Sequence, residues 1–505
     1  MRWILLAGIL ALLPPVSAHA ATHVVLPNGT GDYPTIQAAI ANSSWGDSVA
    51  LADGVYSGPG NRDIVYQGKP ITVYSLSGDP AACILDCEGS ALDPHRGFLF
   101  NWSESENSIL QGVTIINGHV VGPDPPDPTG CGGGILVING SGPTIRNVVV
   151  RDCYAMMGGG VFVWEGSPRF SDCTFSENDS WWGSGGGAYS HSSPVRFVDC
   201  RFIDNQSNQS GGGLACNASD LEVLVAGCLF QGNDVESGGY GGGLTVGYDC
   251  EAEIHDCTFF DNAADNGGAL ATYDARLSGC TVHANHGSYA GGVYLNYGAT
   301  LTLERTIVSA SSGGPAIGCA SGSAVTAMTC CDVYDNAGGD YVGCVAAFAG
   351  INGNLSLDPL YCDAEAGDFG LLEDSPCLPF SPPNPECDLI GAWEPGCSSP
   401  QDVPSGSRPH ARQLLGAPRP NPFRERTRLM LEFAAPAADP TLRAGVYDAT
   451  GRLVAPLTIR SEPGTGAVVA WDGTHESGRP AAGGVYYVRV SGSGEASQRS
   501  VLLIR

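Results

Sequence analysis

Two patterns of apolar, small and polar residues recur in phase through the middle of the chain. The first is a glycine cluster that runs straight into an apolar residue: Gly132-Gly133-Gly134-Ile135, Gly158-Gly159-Gly160-Val161, Gly185-Gly186-Gly187-Ala188, Gly211-Gly212-Gly213-Leu214 and Gly241-Gly242-Gly243-Leu244. Degenerate copies read Gly267-Gly268-Ala269-Leu270 and Gly291-Gly292-Val293-Tyr294, and successive starts lie 26, 27, 26, 30, 26 and 24 residues apart. The second pattern, C-x-[FV]-x-x-N, follows 12 to 15 residues after each cluster: Cys173/Phe175/Asn178, Cys200/Phe202/Asn205, Cys228/Phe230/Asn233, Cys257/Phe259/Asn262 and Cys280/Val282/Asn285. The same frame places Cys331/Val333/Asn336 later, and Gly112/Thr114/Asn117 and Val148/Val150/Cys153 earlier.

Residues two apart, such as Cys173 and Phe175, share one side of a short strand, which leaves Asp172 and Thr174 on the other. A three-residue strand is not stable alone. Copies stacked in register about 4.8 Å apart pair their backbones and bury columns of Cys on Cys and Phe on Phe. Glycine clusters fit where such a coil turns sharply, needs positive φ or passes close to its neighbour. Asn at one fixed turn position tolerates the left-handed conformation and hydrogen-bonds to its stacked copy. The period of about 26 residues is too short for a propeller blade, and no helical periodicity supports an α-solenoid. The prediction is all-β: a parallel β-helix over 21–397.

The paired glycine and FxxN motifs resemble the repeats of the polymorphic outer membrane protein family, and residues 22–397 resemble the pectate-lyase-like right-handed parallel β-helix superfamily. The opening Gly29-Thr30-Gly31-Asp32-Tyr33-Pro34-Thr35-Ile36-Gln37-Ala38-Ala39-Ile40 is similar to the first segment of many exported β-helix proteins. There Thr35 caps a short helix whose Ile36, Ala39 and Ile40 cover the open end of the core. Ser48 to Tyr56, Ile71 to Tyr74, Phe98 to Phe100 and Ser108 to Ile116 are expected as strands of the first coils.

The chain has 19 cysteines. Cys173, Cys200, Cys228, Cys257, Cys280 and Cys331 fill the inward column as small apolar groups, with Cβ vectors too parallel for disulfides. The other 13 are odd in number, so at least one is free. Cys131 can pair with Cys153 and Cys83 with Cys87, while Cys319, Cys330, Cys344, Cys362, Cys377, Cys387 and Cys397 can staple the end where the repeat decays.

Met1 to Ala20 reads as a secretory leader, with Arg2, an apolar stretch from Ile4 to Val16, and Ala18-His19-Ala20 as the cleavage site. No further apolar run is long enough to span a bilayer. The Pro- and Ser-rich 398–412 is a linker. Beyond it, Leu429 to Phe433, Ala444 to Tyr447, Val468 to Trp471, Val485 to Val490 and Ser500 to Ile504 alternate as strands of a small sandwich over 413–505. Pro420-Asn421-Pro422-Phe423, Val446-Tyr447-Asp448 with Gly451-Arg452, Trp471-Asp472-Gly473 with Gly478, and Gly484-Val485-Tyr486-Tyr487 resemble the immunoglobulin-like domain shared by flagellar hook-capping proteins and type IX secretion sorting domains. That resemblance implies contact with secretion machinery and attachment to the cell surface.

Charge sharpens the division. Residues 1–399 carry 11 Lys/Arg and 43 Asp/Glu, and residues 400–505 carry 13 and 9, which gives −32 and +4 of the total −28. Such a surface excludes sequence-independent binding of nucleic acid. The apolar share of 43% excludes a disordered glycine-rich tail.

The outward column Arg169, Arg196, Glu253 and Arg276, beside Asp172, Asp199 and Asp256, has the residue types of lyase chemistry, a basic group with carboxylates for Ca²⁺. The same residues also serve as lateral salt bridges along a stack. Asp93-Pro94-His95-Arg96 is similar to a uronan-epimerase motif except for its final Arg, and reads as a surface loop. Neither a paired-Asp hydrolase motif nor a pectin methylesterase motif follows the opening segment. The expectation is an exported, surface-attached binding or adhesive protein directed at extracellular glycan or envelope components, with no catalytic set, no cofactor and at most Ca²⁺. A polysaccharide lyase or hydrolase is the rival.

Overall fold

A computed structural model describes residues 20–397 except 123–127, 218–220 and 237, and the strands with some connections between 413 and 503. The leader up to residue 19, the linker 398–412, most of the Pro123 to Pro128 loop and the Pro420 to Phe423 motif lie outside the described residues. Two compact units divide the chain, Met1–Gln401 and Asp402–Arg505.

The first unit is a parallel β-helix with three sheets. One coil contributes Val161–Trp164 and Arg169–Ser171 to the first sheet, Thr174–Ser176 to the second and Asp179–Ser180 to the third. Each pairs in parallel with its copy one coil on, as Val161↔Ala188, Phe170↔Phe197, Phe175↔Phe202 and Ser180↔Ser207. Inward residues stack in register. Phe202 and Phe259 each lie with ring centroid 4.7 Å from Phe230 and nearly parallel to it, and the six column cysteines are buried free thiols.

Asn178, Asn205, Asn233, Asn262 and Asn285 form a buried ladder, each Nδ2 donating to the next Oδ1 at 2.8–3.0 Å. The left-handed residue is not the Asn but the one before it: Glu177, Asp204, Asp261 and Ala284 have φ of 53–55°. A second left-handed corner precedes each Cys. Asp172, Asp199 and Asp256 occupy it with φ of 53–55°, so they are turn residues and not outward strand positions as the alternation predicted. Asp suits that corner because it tolerates positive φ better than most side chains do.

The glycines divide by position. The first of each cluster has positive φ, +71° at Gly185, whereas the second sits against the next coil, where a Cβ on Gly186 would lie 2.3 Å from the Gln206 carbonyl oxygen. Two expected frames are off by one. Register through Ile115↔Val150↔Phe175 makes Val113 and Ile115 the inward pair and turns Thr114 outward; Asn117 misled because it fills the left-handed corner. Likewise Leu270 pairs with Val293, so Tyr294 points outward. A slip of one residue exchanges the two faces of a strand.

Thr35 Oγ1 accepts the Ala38 N–H at 3.2 Å and caps helix Ile36–Asn42, which buries Ile36, Ala39 and Ile40 over the first coil as expected. The expected strands Ser48 to Tyr56 and Ser108 to Ile116 are each broken into two, the second at Gly112 with φ +70°.

At the other end residues 357–397 return along the outer face of the second sheet as a strap. Three disulfides hold this region: Cys319–Cys344, Cys330–Cys387 and Cys362–Cys397, while Cys377 is a buried free thiol. Cys83, Cys87, Cys131 and Cys153 form no disulfide, against the expected pairing. Four residues of extended chain separate Cys83 and Cys87 by roughly 13 Å, beyond disulfide reach. Cys153 faces the main core, but Cys131 packs with Leu136, Phe162, Tyr189 and Ala215 on the outer side of the sheet.

Asp332 is fully buried beneath the strap, where its Oδ1 accepts from Leu357 N at 3.1 Å and its Oδ2 from Cys377 Sγ at 3.3 Å. Burial pushes its carboxyl from 3.8 up to about 6 despite those bonds. Between these values the folded site keeps a proton that the unfolded chain has released, so the contribution of Asp332 to stability is greatest below about pH 4, falls as pH rises to about 6 and is level above. Asp332→Asn is therefore expected to raise stability by roughly 2 kcal/mol at pH 7.5 and leave it unchanged at pH 3.5. Urea unfolding at both pH values checks this, and an equal gain at both would contradict it.

Among the described residues of the second unit eight strands form two four-stranded sheets. Thr427–Phe433, Arg443–Tyr447, Gly466–Trp471, Gly484–Gly492 and Glu495–Leu503 match the five expected strands. Gln413–Leu415, Leu453–Leu457 and Arg460–Glu462 were not expected. Trp471 and Tyr486 meet edge to face at 4.8 Å in the core, in keeping with a packing role.

Candidate binding face

The predicted column is real as a geometric object. Arg169 pairs in register with Arg196, Arg196 with Leu224, Leu224 with Glu253 and Glu253 with Arg276 along the outer face of the first sheet. Its arginines do not meet the predicted aspartates. Arg169 pairs with Glu106, Arg196 with Glu222 at 3.8 Å and Arg276 with Glu304 at 2.8 Å. Asp172, Asp199 and Asp256 lie three residues on, at the corner. Glu106, Arg169, Arg196 and Glu222 line a groove of about 560 Å³ together with Ser105 and Ser167. These pairs are exposed, which makes them worth little individually.

The Asp93 to Arg96 segment is less superficial than expected. His95 is held between Asp63 at 2.5 Å and Asp93 at 3.2 Å, while Arg96 is buried, donating to the carbonyls of Thr129 at 2.6 Å and Cys131 at 3.0 Å. Burial lowers the Arg96 guanidinium to about 10. It works as a brace between coils, because both of its carbonyl partners belong to the following coil.

The alternation did not single out an aromatic track on the leading half of the first sheet. Outward positions run Leu136, Phe162, Tyr189, Ala215, Thr245, Ala271 and Tyr294 in register. Between Tyr189 and Tyr294 the column carries only small residues over four coil steps, about 19 Å, with Tyr189, Ala215 and Ala271 buried and Tyr294 half-buried. Tyr240 and Tyr289 lie 6.3 and 6.5 Å from Tyr294, and Tyr248 lies 5.4 Å from Tyr273. Tyr240, Tyr248, Tyr289 and Tyr297 are all exposed. At the other end the Tyr189 hydroxyl is 3.3 Å from His191 Nδ1. Burial raises the phenols of Tyr189 and Tyr294 and lowers the His191 imidazole, so all three are neutral at pH 7. The signal was present one residue past the apolar position of the glycine motif, in Ala188-Tyr189 and Val293-Tyr294. Phase alone decides that it faces outward.

Among the described residues no group of three or more His, Cys, Asp or Glu is arranged to hold a metal ion, and no helix is long and apolar enough to cross a membrane.

Comparison with protein families agrees with this architecture. Two overlapping matches to the right handed beta helix region, residues 100–242 and 216–354, together span half of the chain, which therefore belongs to that family. Residues 421–495 match the FlgD Ig-like domain, so the molecule is a right-handed β-helix followed by an immunoglobulin-like domain. No curated protein and no solved structure matches the chain.

Proposed function

We propose that this protein is an exported, surface-attached β-helix that binds carbohydrate without transforming it. The observation that carries this reading is the pair of exposed rings, Tyr240 and Tyr289, gathered beside Tyr294 on the outer face of the first sheet. Flat rings with a polar tip stack on the apolar faces of sugars while their hydroxyls exchange hydrogen bonds. The coil repeat of about 4.8 Å is similar to the advance of one sugar ring in an extended glycan. Burial keeps the Tyr294 phenol neutral, and the small residues of the column carry no charge, which favours recognition over acid–base work. The double variant Tyr240→Ala with Tyr289→Ala is expected to lose at least tenfold in affinity for the best glycan on an array, with the melting temperature lowered by only a few degrees because both rings are exposed. Undiminished binding would remove this face from consideration.

The 560 Å³ groove with its Arg–Glu pairs supports a second reading, a polysaccharide lyase or hydrolase acting on uronan-like substrate. Incubation with a uronan panel and Ca²⁺ separates the two, since release of unsaturated or reducing ends sinks the binding-only reading. The immunoglobulin-like domain, in this proposal, engages the sorting machinery and anchors the molecule to the cell envelope. Truncation after Gln401 is then expected to release a folded β-helix into the medium. Full retention on cells after truncation would refute anchoring by this domain.

A further inference from the structure

A second groove, of about 500 Å³, lies between the second sheet and the strap. Its floor comes from three successive coils, through Arg201, Leu229 and Thr258, which are neighbours in register. Its wall is Trp393, whose Nε1–H donates to Thr258 Oγ1 at 2.8 Å. The strap holds that indole in place: Gly391 N donates to Arg305 O at 2.8 Å, Ala392 N to Thr281 Oγ1 at 3.0 Å, Phe369 packs 6.4 Å away, and the Cys362–Cys397 disulfide closes the segment. Although pinned, Trp393 remains 41% exposed.

The groove contains charge that the fold does not use. Arg62, Arg96, Arg146, Arg151, Arg169, Arg196, Arg276 and Arg305 all have hydrogen-bonding or ionic partners. Arg201 has none among the described residues, and neither does the Asp199 carboxylate in the same coil. Asp256 and Gln231 line the groove as well. A guanidinium and a carboxylate without protein partners, lining one groove, offer a planar donor and an acceptor, which suits neighbouring hydroxyls that can each give and accept a hydrogen bond. The volume lies in the range of small-ligand sites, roughly 300–1,000 Å³. An anionic ligand would pair with Arg201 but face Asp199 and Asp256, on a segment whose net charge is already −32 from 11 basic and 43 acidic residues.

We infer that this groove is a second sugar site, selective for a neutral ring that stacks on Trp393 while Arg201 and Asp199 take adjacent hydroxyls. It rests on the carbohydrate reading above, and it specifies the ligand's charge.

The test is calorimetric titration of the full chain with cellohexaose, xylohexaose and mannohexaose against hexagalacturonate, repeated on Arg201→Gln, Trp393→Ala and the Tyr240/Tyr289 double variant. Arg201 is exposed, so Arg201→Gln leaves folding intact and carries the test should Trp393→Ala disturb the strap. The expected result is a neutral ligand preferred over hexagalacturonate, weakened tenfold or more by Arg201→Gln and by Trp393→Ala, with groove binding surviving in the tyrosine double variant. Neutral-sugar binding that Arg201→Gln and Trp393→Ala leave unchanged would overturn the groove while sparing the carbohydrate reading. Preference for hexagalacturonate that depends on Arg201 would overturn the neutral assignment. Absence of binding to all four by the unmodified protein would overturn both readings.

Discussion

Gly186→Ala is expected to abolish recovery of soluble, folded β-helix, or to destabilise it by more than about 4 kcal/mol. Gly186 is the middle residue of its cluster and its φ is ordinary, so conformational freedom is not the issue. The added methyl would lie 2.3 Å from the Gln206 carbonyl oxygen and 2.5 Å from that of Gly212. Both are backbone atoms of the next coil. That coil is itself fixed by Gly186 N donating to Gly211 O at 3.2 Å and Gly187 N to Gly212 O at 3.1 Å, so room for the methyl requires prying two coils apart. Gly298→Ala is the control. Its φ is +73° but nothing lies within 4 Å of the new Cβ, so only the left-handed penalty of about 1–2 kcal/mol applies. Soluble yield, circular dichroism and the thermal midpoint measure both, and near-native stability of Gly186→Ala would show that the coils are not stacked this closely.

Asn233→Ala is expected to destabilise the β-helix by about 4–6 kcal/mol. The Asn233 Oδ1 accepts from Asn205 N at 3.1 Å and Asn205 Nδ2 at 2.9 Å, while its Nδ2 donates to Phe202 O at 2.9 Å and Asn262 Oδ1 at 2.8 Å. Alanine removes all four bonds, leaving the Asn205 N–H without its partner while Asn205 Nδ2 keeps Phe175 O and Asn262 Oδ1 keeps Asn233 N; each buried bond lost costs about 1–3 kcal/mol before relaxation, and a cavity opens as well. Asn233→Asp separates the two contributions. It keeps the shape and both accepting positions, but it sets an oxygen against the Phe202 carbonyl and the Asn262 Oδ1. Urea midpoints for the Ala and Asp variants should fall by similar amounts. A mild effect of Asp would mean that packing, not hydrogen bonding, holds the ladder.

The ladder, the cysteine and phenylalanine columns and the capping helix were legible because each depends on a short, repeated spacing. A C-x-F-x-x-N unit specifies its own inward face, and stacking multiplies the same local choice coil after coil. Where the unit degenerates, legibility degrades with it. Thr114 and Tyr294 were assigned one position out, because a neighbouring Asn or Gly carried the motif while the apolar residues carried the phase. The candidate site was less legible still. The arginine column was correctly placed on one face, but its partners were not, since the distance from Arg169 to Glu106 spans 63 residues and depends on how two coils align.

By itself the sequence determined a two-part chain: a β-helix of about 26 residues per coil, its inward columns, the glycine contacts between coils, and a positively charged sandwich beyond residue 400. Those features follow from local period and composition, which fold and stacking then repeat. Only the tertiary structure decided which cysteines pair, which carboxylates meet which arginines, that Tyr240, Tyr289 and Tyr294 gather on one face, and that Trp393 comes back 135 residues to stand on Thr258. These are contacts between segments whose separation has no period, so no spacing rule encodes them. They exist because the coils fix a rigid surface first and the strap then folds onto it.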